Sequence, residues 1–159
     1  MTAYHRILAL VDVGRRGEQV ALRAAELAAA HKAELAIASN VDYSPGFECD
    51  HVPLRSPGQM QQAIMRDVAE RLGEATQRLG ISGAEVIVTS GSEGRAVDDL
   101  VRSWRPDLVL VGSHAPHGLQ QGVGQPPRHG KPLPFDLLVV RIGRPGLAGR
   151  LIHALASAM

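Results

Sequence analysis

The chain has 159 residues, of which 45% are apolar, and it carries 17 basic against 16 acidic side chains. That length fits one domain with a real core, and that apolar share argues against wholesale disorder. A formal charge of +1 and 3% aromatic residues leave neither the field nor the stacking platforms that a nucleic-acid partner needs.

Ile7-Leu8-Ala9-Leu10-Val11-Asp12 reads as a first strand, buried on both faces because it has no polar alternation. Residues 14–17 read as a turn. Within it Arg15 and Arg16 are read as solvated, although a place ahead of a helix also suits phosphate. Residues 18–31 are alanine-rich and helix-favouring, with Val20, Ala24, Leu27 and Ala28 on one face. Residues 35–41 form a second strand, and 42–58 a long connection with three prolines and two glycines.

Residues 59–79 carry the cleanest helical period, through Met60, Ile64, Val68, Leu72, Ala75 and Leu79, and Gly80 fits a stop. Residues 85–89 form a third strand. A third helix over 94–104 has Val97, Leu100, Val101 and Trp104 as its inner stripe, and Pro106 ends it. Residues 107–112 form an unbroken apolar strand that stops at Gly112, at the carboxyl end where open α/β sheets bind ligands. Residues 113–134 are rich in glycine, proline and histidine. Residues 135–141 form the last strand, and a short amphipathic helix is expected over 147–159.

Strands alternating with helices, joined by right-handed crossovers, give a three-layer α/β/α sandwich around a five-stranded parallel sheet. The expected domain covers residues 1–142, followed by an amphipathic tail over 143–159 that packs on its own domain or on a partner subunit. No apolar run spans a membrane, and the start of the chain leads directly into a strand without a signal-peptide profile. Cys49 is the only cysteine, which excludes an intramolecular disulfide and agrees with a cytoplasmic location.

Three segments together resemble the universal stress protein family: Ile7-Leu8-Ala9-Leu10-Val11-Asp12 with its following helix, the turn Ser90-Gly91-Ser92-Glu93-Gly94, and Asp107-Leu108-Val109-Leu110-Val111-Gly112-Ser113 with the closing Leu137-Leu138-Val139-Val140. The resemblance runs from about Tyr4 to Arg141. It implies an adenine-nucleotide α-hydrolase-like fold with five parallel strands and four helices, and a homodimer joined through the last strand. One branch of the family binds ATP through a glycine motif, and the UspA-like branch lacks it. Here Gly112 fills the first motif position, but Ala115 and Gln125 stand at the other two, and Pro126 replaces the hydroxyl residue.

Asn40-Val41-Asp42-Tyr43 and Phe135-Asp136-Leu137-Leu138 also look more like the UspA branch. A phosphate cradle needs converging backbone N–H groups, and Pro116, Pro126 and Pro127 supply none. Pro132, Pro134 and Gly130 argue against a full fourth helix. The expectation is therefore a non-catalytic, dimeric binding or regulatory module with a degenerate nucleotide site and no resident cofactor. Its rival is an ATP or AMP binder. If a nucleotide binds, the resemblance implies contacts from Asp12, Val41, Gly112, Ser113 and Gly124.

Asp12 can equally be a polar strand end that caps the next turn, and Val41 is favoured as sheet core. A further alternative is a metal site built from His114, His117 and His129, with Cys49-Asp50-His51 in the other loop. Solvated loop histidines are the reading retained, with no metal expected. The chain has no nucleophile elbow, P-loop or metalloprotease motif, so no catalytic residue is assigned.

Overall fold

The computed structural model describes residues 3–42, 56–113 and 133–142. In chain order the elements are β1 (Arg6–Leu10), α1 (Arg15–His31), β2 (Glu34–Val41), α2 (Pro57–Arg78), β3 (Glu85–Ser90), α3 (Glu93–Trp104), β4 (Leu108–Gly112) and β5 (Asp136–Val140). The strands form one parallel sheet in the order β3-β2-β1-β4-β5. This is the expected sheet, with β1 at its centre and β3 and β5 at its edges.

Strict alternation along the strands divides the core into two layers. Ile7, Ala9, Leu35, Ile37, Leu108 and Leu110 face α1 and the second half of α2. Leu8, Leu10, Ala36, Ala38, Val109 and Val111 face α3, whose Val97, Leu100 and Trp104 are buried against them. Complete burial of each large aliphatic side chain contributes about 1.5–3 kcal/mol, so the three central strands carry most of the stabilisation. Alanines on α1 at 21, 24 and 28 let that helix lie close to the sheet.

The amino ends of the strands are tied by charge. The Asp107 carboxylate accepts from the His5 and Arg6 backbone N–H groups at 2.7 and 3.0 Å. The Arg6 guanidinium sits 4.4 Å over the Trp104 ring, whose Nε1–H donates to Glu85 at 3.0 Å.

Two helix starts differ from the sequence expectation. The turn expected at 14–17 is the first turn of α1, because Gly14 takes a φ of 133° that only glycine accepts readily. The Glu18 N–H then closes onto the Gly14 carbonyl at 3.0 Å. Helix α2 starts at Pro57, two residues earlier than its apolar period suggests. Ser56 and Gln59 form a capping box: the Ser56 hydroxyl accepts from the Gln59 N–H and the Gln59 side chain accepts from the Ser56 N–H. Of the apolar stripe on α2, only Leu72 is fully buried; Met60, Ile64, Val68, Ala75 and Leu79 are half-buried. The expected stop is present at Gly80, with φ of 68°.

Candidate functional site

Asp12, Val41, Gly112 and Ser113 lie at or just past the carboxyl ends of β1, β2 and β4, three neighbouring strands. Hydrogen bonding and packing give them unequal roles. Gly112 is roofed by Ile142: a Cβ at position 112 would sit 2.6 Å from Ile142 Cδ1 and 3.3 Å from Val20 Cγ2. The glycine thus admits a buried isoleucine arriving from beyond β5. Ser113 is held to the same segment, its N–H donating to the Val140 carbonyl at 2.9 Å. Its hydroxyl oxygen accepts from the Ile142 N–H at 3.0 Å.

Val41 is buried, and its carbonyl accepts from the Gly91 N–H at 3.2 Å. Asn40 closes the same turn, its side-chain amide donating to the Gly91 carbonyl at 3.1 Å. Val41 thus packs into the sheet end with its carbonyl engaged by the turn before α3.

Asp12 lies in the loop between β1 and α1. It does not cap the helix that follows, since no side chain caps α1. Its carbonyl instead lies against Gly17, where a Cβ would meet the oxygen at 1.8 Å. Partial burial at the loop raises the Asp12 carboxyl above the ordinary carboxylate range, and the Arg16 charge offsets this only in part.

The Asp12 loop borders a cavity of ≈ 200 Å³ between the start of α1 and the second half of α2. Val11, Ile37, Leu72, Ala75 and Leu79 supply apolar wall. Glu18 and Arg78 are paired at its rim. The Arg78 hydrogen bond holds the Glu18 carboxyl below the usual range, and Glu18 raises Arg78 in return. Val41, Gly112 and Ser113 are not part of this lining. Of these four strand-end residues, Asp12 alone borders the cavity. Nothing in the sequence period flags this cavity; its one local signal is Gly17, where α1 comes against the backbone of Asp12.

Gly124, His114, His117, His129, Cys49, Asp50 and His51 lie outside the described residues. Among the described residues no group of three or more His, Cys, Asp or Glu side chains is placed to hold a metal ion. No helix among them is long and apolar enough to cross a membrane.

Comparison with known proteins agrees with this architecture. The chain is 28% identical over 121 residues to universal stress protein A homolog 1 of Coxiella burnetii, covering 76% of this chain and 84% of that protein. Among solved structures it is similar to the universal stress protein UspA of Lactobacillus plantarum, with a TM-score of 0.65 at 19% identity, covering 89% of this chain and 100% of that one. It is likewise similar to a universal stress protein solved in complex with cAMP, with a TM-score of 0.59 at 19% identity over 89% of this chain and 100% of that one. The model of the universal stress protein family matches residues 3–124. With the parallel sheet, its strand order and this match in agreement, the chain belongs to the universal stress protein family.

Proposed function

We propose that this protein is a non-catalytic, dimeric binding or regulatory module of the stress response, acting in the cytoplasm, with a nucleotide site too degenerate to grip a triphosphate. The observation that carries this reading is the sealing of Gly112 and Ser113. An approaching phosphate needs open backbone at such a glycine. Here the Ile142 side chain fills the Cβ side of Gly112, the Ser113 hydroxyl accepts from the Ile142 N–H, and the Ser113 N–H is bound to Val140. The sequence adds support, with Ala115, Gln125 and Pro126 at the motif positions.

The complex of a relative with cAMP favours one second reading, a site for a monophosphate of adenosine that makes little use of a triphosphate cradle. Calorimetric titration with ATP and AMP at low and high salt separates the two. The expected result is ATP binding no tighter than AMP, with any weak affinity lost at high salt, as for point charges in solvent. Tight ATP binding that survives high salt overturns the proposal.

The dimer is assigned to β5. Among the described residues that strand is a sheet edge with no strand on its outer side, and Val139 on it is 52% exposed. Apolar edges of this kind invite antiparallel pairing with a second copy. Light scattering on a sizing column is expected to give a dimer at micromolar concentration and a monomer for Val139→Lys. A monomeric parent chain disproves the assignment.

A further inference from the structure

We propose that the cavity between α1 and α2 binds a small organic amine, one ring-sized apolar body carrying a single ammonium group. The inference goes beyond the nucleotide reading: of the described residues that reading uses, Asp12 alone borders this cavity, and Val41, Gly112 and Ser113 do not.

Size and lining set the body of the ligand. The cavity measures ≈ 200 Å³, and an engineered apolar cavity of about 150 Å³ is known to take benzene. One or two fused rings therefore fit. Val11, Ile37, Leu72, Ala75 and Leu79 offer carbon contacts and little hydrogen bonding, which excludes a sugar or another polyol as the buried part.

Charge at the rim sets the head group. Two arginines border the cavity, and both are occupied: Arg78 pairs with Glu18, and Arg71 pairs with Asp67 at 3.0 Å. The rim also carries Asp12 and Glu74. Among the described residues neither makes a hydrogen bond or ion pair, although Arg16 acts on Asp12 and Arg78 on Glu74 through space. Within the lining the uncommitted charge is therefore negative, while Arg15 and Arg16 act from beside it on Glu18 and Asp12. A cationic head group gains a charge-assisted hydrogen bond there, and an anion meets within the lining only arginines already paired. Burial already disfavours the charged form of Asp12, so an ammonium partner relieves an existing cost.

The test uses the full chain at neutral pH, titrated by calorimetry with tryptamine, indole and indole-3-propionate. Tryptamine is expected to bind at least about tenfold tighter than indole, the gain of one charge-assisted contact, with the propionate weakest. Asp12→Asn combined with Glu74→Gln is expected to bring tryptamine to the level of indole. Ala75→Leu, which fills the cavity, is expected to abolish binding of both without lowering the unfolding temperature. If Ala75→Leu does not fold, Leu79→Phe fills the same space from another wall. Saturating AMP is expected to leave tryptamine binding unchanged. No binding at millimolar tryptamine, equal affinity for indole, unaltered binding in the filled variant, or displacement by AMP each overturns the proposal. Because no step reads ATP affinity, its failure stays distinct from failure of the nucleotide reading.

Discussion

Gly17→Ala is expected to destabilise the protein by about 3 kcal/mol or more, at the upper end of overpacking costs. A Cβ there would lie 1.8 Å from the Asp12 carbonyl oxygen, 2.9 Å from its carbon and 3.1 Å from its nitrogen. All three atoms are backbone, so no side-chain rotation relieves the contact. Alanine is the better helix former by about 1 kcal/mol, and the clash outweighs that gain. Gly73 in α2 supplies the control, since a Cβ at that position meets nothing within 4 Å. Gly73→Ala is expected to stabilise by up to about 1 kcal/mol. Urea unfolding of the two variants checks the pair, and equal shifts in the same direction contradict the close approach of α1 to Asp12. Because Asp12 and Gly17 both border the α1–α2 cavity, loss of that approach also widens the site.

Gly112→Ala is expected to cost about 1–3 kcal/mol, and Ile142→Val to restore much of it. The nearest obstacle to a Cβ at 112 is the Ile142 δ-methyl at 2.6 Å, and valine lacks that methyl. Ile142→Val alone costs about 0.5–1.5 kcal/mol for the lost burial. The double variant is therefore expected to be more stable than the sum of the singles predicts. Val20 Cγ2 at 3.3 Å keeps the rescue incomplete. Strict additivity in a denaturant-based cycle shows that Ile142 does not roof Gly112, and the principal support for a sealed phosphate site goes with it.

The candidate site was only partly legible before the structure. Asp12, Val41 and Gly112 could be placed at strand ends because the apolar runs stop there. Their partners could not be read. The Gly91 N–H that reaches the Val41 carbonyl, and the Ile142 N–H that reaches the Ser113 hydroxyl, come from distant parts of the chain. The early start of α2 was legible in principle, since Ser56, Pro57 and Gln59 spell a capping box. The apolar period alone points to a start further in, because Pro57, Gly58 and Gln59 are all exposed.

Strand and helix order, the parallel sheet and its two-sided core were readable from residues 7–12, 35–41 and 107–112 and from the apolar period of the helices. Those signals are local: a run that lacks polar alternation must be covered on both faces wherever it sits. Which residues share a site was settled by contacts between segments that periodicity does not relate. Glu18 and Arg78 meet across 60 positions, and Ile142 closes over Gly112 from beyond the last strand. At Gly17, α1 lies against the backbone of Asp12, and both residues border the cavity. Such contacts depend on how helices and strand ends settle against one another, and residue type alone does not encode that choice.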